Sequence, residues 1–299
     1  MITIKGDRFL INGNARPLAG NHTWDVVQPV NKNRTPIDRL TGNFTRLWTI
    51  ETKAFVNSSP PFVGANPGLI RVENVPWRKD LSLNTKFYNA LRKKVAAAEK
   101  RNMVTGVVLF EGSIPDAFPR GWEHHPFNGK GPKSHEQVHT KGPWNKHQRA
   151  HVREVVKTLA GFRNVIYEVG NELMGSSTGW FQKRVVKWVQ KWSDQPVGVS
   201  YARGIRASSG RNEAAWMQRT GADWVSPTAT AIAAGQFRGF KGPVVFDTDH
   251  SWPLRSNVAG LQSAVRAGRP VWLMDGFNGS MLRNIDNLQP DRDFIASMT

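Results

Sequence analysis

Residues 165–175 read VIYEVGNELMG, and the reading of this stretch decides the fold. Val165, Ile166, Tyr167 and Val169 make an apolar run of strand length, which fits a strand buried on both faces, as in a parallel sheet covered by helices. Glu168 and Glu172 place two carboxylates on that strand and at its end, where charge is most costly. A buried carboxylate needs a cationic partner or a proton. A carboxylate at a strand end has no packing reason to be there.

Working outward, seven further apolar runs have the same character: ARPLAG (15–20), GNFTRLWT (42–49), MVTGVVLF (103–110), PVGVSY (196–201), ADWVSP (222–227), GPVVFD (242–247) and RPVWLMD (269–275). Between them lie segments whose apolar residues recur every three or four positions, such as 84–102, 145–162 and 179–194. In the last, Phe181, Val185, Trp188 and Trp192 share one face, while Lys183, Arg184, Lys187 and Lys191 share the other and read as a solvated stripe. Eight strands alternating with helices predict an α/β protein, a single (β/α)8 TIM barrel. ITIKGDRFLING turns at Gly6-Asp7 and predicts an N-terminal β-hairpin over residues 1–14. No linker divides the chain, so residues 1–299 are expected to form one domain. No Gly-x-Gly-x-x-Gly fingerprint or P-loop follows a strand.

The 41 Lys and Arg against 23 Asp and Glu leave a net charge of +18. Such a surface attracts polyanions. The basic residues are spread along the chain without a polybasic tail, so nucleic acid is not the expected partner. Cysteine is absent, which excludes disulfides and thiolate chemistry. No apolar run approaches the ~18 residues of a membrane helix, and no membrane partner is expected. The N-terminus enters a strand pattern with no signal segment, so the expected location is cytoplasmic, or outside by another route.

In this barrel the active site forms at the C-terminal ends of the strands. The polar residues there are Asn21, His22 and Trp24 after the first run, Arg46 and Trp48 in the second and Glu111 after the third. Asn171 and Glu172 follow the fourth, Asp247, Asp249 and His250 the seventh, and Asp275 the eighth. Strand parity turns Glu168 inward with Tyr167 and Val169 facing helices, and Arg46 is the expected partner of one of these carboxylates. Glu168 then belongs to a buried ionic network and Glu172 to a reaction.

The Asn171-Glu172 pair inside VIYEVGNE resembles the Asn-Glu signature of clan A glycoside hydrolases, the cellulase-like barrels. NGNARPLAGNHTW, WEHHPFN (122–128), VVFDTDHSW (244–252) and VWLMDGF (271–277) are similar to a poorly characterised cellulase-like group of glycosidases and span most of the chain. The resemblance implies an enzyme cleaving O-glycosidic bonds of a polysaccharide or oligosaccharide, with Glu172 as acid/base and Asn171 on a sugar hydroxyl. It implies that Arg46 supports a nucleophile at the end of the seventh strand. There the clan carries Glu, whereas this chain offers Asp247, with Asp249 and Asp275 as alternatives. Asp is one methylene shorter, by ~1.5 Å of bond length. A retaining pair of carboxyls stands about 5–5.5 Å apart and an inverting pair about 6.5–9.5 Å, so retention through Asp247 is the expectation and inversion stays open. His22, His125 and His250 are candidate hydroxyl binders. Trp24, Trp48, Trp122, Trp144 and Trp252 are candidate sugar platforms, since flat rings stack on sugar faces. No cofactor and no metal are expected.

Two rival readings remain. HEQVH (135–139) matches the HExxH pattern of zinc hydrolases, although GKGP and KGP around it leave little room for a helix. A barrel that binds carbohydrate without cleaving it would also explain Asp in place of Glu. The basic surface suggests an acidic glycan.

Overall fold

The computed structural model describes residues 1–32, 34–56, 68–118, 120–173, 178–202, 213–250, 263–264 and 266–274. The candidates Trp252 and Asp275 and the side chain of His250 lie outside them. Strands β1 (Ile2–Lys5), β2 (Arg8–Ile11) and β3 (Asn14–Ala15) form an antiparallel sheet, the expected hairpin extended by a third short strand. All eight apolar runs then supply a parallel strand. In chain order these are β4 (Ala19–His22) and β5 (Phe44–Leu47), with the antiparallel pair β6 (Ala54–Val56) and β7 (Leu69–Arg71) intervening before β8 (Val104–Val108). Next come β9 (Val165–Glu168), β10 (Val197–Ser200), β11 (Trp224–Ser226), β12 (Phe246–Asp247) and β13 (Val271–Met274).

These strands make two parallel sheets, β5-β8-β9-β10-β11 and β12-β13-β4. Single parallel bridges link them, Thr23 with Leu47 at one seam and Val225 with Val244 at the other. The first parallel strand lies later than its expected place at 15–20. Pro17 has no N–H for a ladder, and Asn14–Ala15 pair back onto β2. The strand therefore starts beyond the proline and carries Asn21 and His22 within it.

Helices α1 (Thr85–Lys100), α2 (Ser113–Ala117), α3 (His135–Val138), α4 (Asn145–Leu159), α5 (Thr178–Trp192), α6 (Glu213–Arg219) and α7 (Ala229–Ala233) complete the described elements. In α1, Phe87, Leu91, Val95 and Ala98 are buried at three- and four-residue spacing, and the Asn84 side chain accepts the Lys86 N–H to cap the helix. Tyr167 and Val169 pack with the helices, as parity predicts. Among the described residues no helix is long and apolar enough to cross a membrane.

On the opposite faces of the strands, Phe44, Val104, Ile166, Trp224, Val245 and Trp272 form a buried cluster that Ile2 and Phe9 of the hairpin cover from below. Phe44 and Trp272 stack at 4.3 Å. Glycine makes room for this layer. A Cβ on Gly106 would stand 2.8 Å from Phe44 Cζ, and one on Gly198 would stand 2.0 Å from Trp224 Cδ2. Each buried ring hides roughly 150–250 Å², or about 4–6 kcal/mol of transfer free energy at ~25 cal/mol/Å². Two residues further along the same strands the interior turns polar, with His22, Arg46, Glu168, Ser200, Ser226 and Asp247 all buried. The apolar layer is the platform on which the polar one rests.

Candidate active site

Arg46, on β5, is fully buried at the centre of the polar layer. Its Nε donates to Glu168 Oε2 at 2.9 Å and its Nη2 to Glu168 Oε1 at 2.5 Å, a two-pronged grip on the β9 carboxylate. Nη2 also reaches Asn171 Oδ1 at 3.1 Å, while Nη1 meets Asp247 Oδ2 at 3.0 Å and Asp249 Oδ2 at 3.3 Å. Four of these contacts are hydrogen bonds and the one to Asp247 is an ion pair. The Trp48 and Trp272 rings lie 4.9 and 5.7 Å from its central carbon and hold its plane. Burial works against the cation, but Glu168, Asp247 and Asp249 outweigh it and push Arg46 above its ordinary value.

The acids around Arg46 differ in character. Burial raises Glu168 against the pull of Arg46 and of the Ser200 hydroxyl that donates to it. Asp247 Oδ1 accepts the Asp249 N–H at 2.9 Å and faces His22 Nε2 at 3.3 Å, and its side chain is fully buried. Asp249, in the single turn Thr248–His250, keeps 10% of its side chain exposed. Burial raises its carboxyl well above the ordinary range, and the charges of Asp247 and Glu172 add to this against Arg46. Asp247 and Asp249 thus share one guanidinium at the end of β12.

Asn171 and Glu172 leave β9 beside the end of β8. The Asn171 N–H bonds Phe110 O at 3.0 Å, and the Gly112 N–H bonds Asn171 O at 2.8 Å. A Cβ on Gly112 would stand 2.4 Å from Glu172 O, so only glycine allows this approach. Glu172 is 9% exposed and has φ 43°, a left-handed conformation that costs a non-glycine residue on the order of 1–2 kcal/mol. Glu111 is a further acid here. Its Oε1 accepts the N–H of Ser113 at 2.6 Å, the N–H of Ile114 at 3.2 Å and the Ser113 hydroxyl. Burial lifts its carboxyl to about 7 against the bonds from Ser113, with a further push from Glu172. The sequence reading placed Glu111 at a strand end without giving it a role. An acid immediately before the Gly-Ser start of a helix was the available signal.

The remaining candidates are placed as follows. His22 lies in the centre, against Asp247 and stacked on Trp48 at 6.0 Å. Trp24 and Trp48 stack on each other at 5.2 Å and are 4% and 1% exposed, packed with Ile50, Phe55 and Phe118. They wall the site and do not present an open face. His125 belongs to a different cluster, which corrects its reading as a hydroxyl binder. Its Nδ1 accepts the Phe127 N–H at 3.2 Å, which leaves the proton on Nε2, 3.1 Å from Glu51 Oε2.

His135 Nε2 lies 3.9 Å from the same Glu51 oxygen. Burial would raise Glu51, but the hydrogen bond from His125 and the nearby His135 ring outweigh it and hold the carboxyl at about 2. Donor atoms of Glu51, His125 and His135 lie within 4.8 Å of one another, a spacing open to a metal. The proton on His125 Nε2 makes the arrangement a hydrogen-bonded one. Glu51 gave no sequence signal beyond its place after the second strand. In HEQVH, His135 and His139 are buried whereas Glu136 is exposed. The zinc-hydrolase pattern needs that Glu beside its two His, so this geometry removes the reading.

No protein-family profile matches the sequence, and no curated protein does. Solved structures do. A family 5 glycoside hydrolase, a mannosidase from Rhizomucor miehei, aligns with 92% of this chain and 85% of its own at TM-score 0.58 and 10% identity. An endo-β-1,4-mannanase from Thermotoga petrophila aligns over 95% and 76% at TM-score 0.55 and 12% identity. The chain shares its fold with these enzymes. Endo-glycoceramidase II from a Rhodococcus species shares it, with TM-score 0.55 and 13% identity over 95% of this chain and 80% of the enzyme. A Bacteroides vulgatus protein provisionally placed among the glycoside hydrolases matches 94% of this chain at TM-score 0.58 and 14% identity, and the chain spans 56% of that protein's length.

Proposed function

We propose that this chain is a glycoside hydrolase acting on a polysaccharide or oligosaccharide. The carrying observation is that Arg46 gathers Glu168, Asn171, Asp247 and Asp249 at the ends of strands β5, β9 and β12, with Glu172 next to Asn171. The two parallel bridges between the sheets support closure of the eight strands into one (β/α)8 barrel. The site then lies at its C-terminal end, where such barrels do their chemistry.

The reaction is a double displacement. Asp247, held charged by Arg46 and the Asp249 N–H, attacks the anomeric carbon as the bond to the leaving oxygen breaks. Glu172 gives its proton to that oxygen. Glu172 then takes a proton from water, which attacks the same carbon and releases Asp247. Asn171 is turned by Arg46, which occupies its Oδ1, so its amide nitrogen is directed away to meet a sugar hydroxyl. Asp249 offers a second reading of the nucleophile, since of the two acids its side chain is the one that reaches solvent.

The test is release of new reducing ends from a panel of neutral and acidic polysaccharides by wild type, Glu172→Gln, Asp247→Asn and Asp249→Asn. Release that falls at least a thousandfold in Glu172→Gln supports the assignment. A 2-fluoro glycoside of the substrate sugar, followed by peptide mass analysis, marks which Asp forms the glycosyl ester. Release unchanged in Glu172→Gln sinks the mechanism. Saturable binding without turnover by wild type would instead indicate a carbohydrate-binding barrel.

A further inference from the structure

We propose that the seam between α4 and α5 is a docking groove for an acidic polysaccharide, separate from the catalytic centre. The choice of glycan rests on the hydrolase reading above; the anionic character does not. The two helices carry Lys146, Arg149, Arg153, Lys157, Lys183, Arg184, Lys187 and Lys191 against a single acid, Glu154. Glu154 pairs with Lys157 at 3.7 Å. Lys146, Arg149, Arg153, Arg184 and Lys191 have no acidic partner among the described residues. Like charges four apart, as at Arg149 and Arg153 or Lys187 and Lys191, destabilise a helix. A folded protein that keeps this arrangement gains from an external anion.

The surface is also shaped. Two cavities of about 690 and 550 Å³ lie along the seam and share Lys146 and Arg149. They run beside a helix of 15 residues, about 22 Å long at ~1.5 Å per residue. Tryptophans under the cations fix their direction. Arg149 lies over the Trp192 ring at 5.5 Å, and Arg184 lies over Trp180 at 5.2 Å and Trp188 at 5.4 Å. A guanidinium near a ring is held there by the cation–π attraction and can still offer its fork of N–H donors to a carboxylate or sulfate. Trp180 keeps 38% of its surface exposed beside Arg184, and single-stranded nucleic acid, which stacks bases on open rings, is the rival that the test includes. An acidic sugar polymer needs only the rows of donors.

The test uses the intact chain and measures binding, with turnover absent. Polygalacturonate, dextran of equal size and a single-stranded oligonucleotide are titrated against wild type, Arg149→Glu/Arg184→Glu, Glu172→Gln and a control reversal at exposed positions, Lys5→Glu/Lys100→Glu. The expected result is that polygalacturonate binds, steeply weaker with salt, and that Arg149→Glu/Arg184→Glu weakens it at least tenfold. The control reversal should change it less than twofold, in the Glu172→Gln background as in wild type. The milder Arg149→Gln/Arg184→Gln, expected to lose at least threefold, stands in if the reversal unfolds the chain. Equal weakening by the control reversal overturns the groove in favour of bulk charge. Equal binding of dextran, or tighter binding of the oligonucleotide, overturns the acidic-glycan assignment. Because no cleavage is read, failure of the hydrolase reading leaves these outcomes unaffected.

Discussion

Replacing Glu111 with Gln should make the protein progressively more stable than wild type as pH rises. In the unfolded chain this carboxyl releases its proton near 4.5, and in the fold it keeps it to about 7. Between those values the unfolded chain is already ionised while the native state still holds the proton. Stability therefore falls as pH rises through this window, by ~1.4 kcal/mol per pH unit at most. The full gap is worth roughly 3 kcal/mol, complete a little above pH 7. Gln keeps the oxygen that accepts the Ser113 and Ile114 N–H groups and removes the titration. The assay is urea unfolding of both proteins from pH 4 to pH 8.5, followed by fluorescence of the 12 Trp residues. The difference between the two proteins is the quantity to plot, because other titrating groups cancel in it. It should be flat below pH 4.5 and then move in favour of the variant by roughly 3 kcal/mol by pH 8. A difference constant across the range would refute the reasoning, and one moving in favour of wild type would show that Glu111 is held as an anion.

Arg46→Met should cost about 3–5 kcal/mol in the same unfolding assay, because buried carboxylates lose their cation. Adding Glu168→Gln to it should recover part of that loss; no recovery would mean that the pair is not energetically coupled. Gly198→Ala should destabilise by at least ~1–3 kcal/mol through overpacking against Trp224, whereas Gly161→Ala, with nothing within 4 Å, should leave the melting temperature unchanged. His151 is held neutral by burial, with its proton affinity lowered to about 4. Tyr88 OH and Leu109 O satisfy its ring at 2.9 and 3.1 Å. The unfolded chain takes this proton near 6.5, so stability should fall by roughly 3 kcal/mol as pH drops from 6.5 to 4. An NMR titration that finds the His151 ring protonating near 6.5 would refute this.

Much of the fold was legible because each parallel strand is a short apolar run, and burial on both faces writes itself into composition. The displaced first strand shows where that signal fails. ARPLAG is apolar, but Pro17 cannot join a ladder, and Asn21 and His22 are strand residues whose polarity serves the site. Within the site, strand parity was enough to turn Glu168 inward toward Arg46 on β5. That Arg46 also supports Asp247 was implied by the family resemblance and not by parity, and its further reach to Asp249 depends on how strands far apart in the chain are placed. The cluster of Glu51, His125 and His135 was hidden for the same reason. HEQVH displayed its spacing plainly, but which of its side chains faces inward is decided by the packing of a one-turn helix. The helical stripe on α5 read as solvated because its partner stripe lies on α4, across the seam.

The crowding of Glu168, Asp247 and Asp249 onto one Arg46 has a thermodynamic consequence for any ligand. Acids crowded on one guanidinium, with Asp249 raised by burial and by the charge of Asp247, should exchange hydrogen ions when water is displaced from them. Calorimetric heats of ligand binding should therefore differ between buffers of unlike ionisation enthalpy, and the difference counts the protons moved. Charge is also sorted by place, with Glu168, Asp247 and Asp249 at the strand ends and bases on α4 and α5. A sugar unit seated among those acids is best uncharged, and the carboxylates or sulfates of an acidic chain are best left outside.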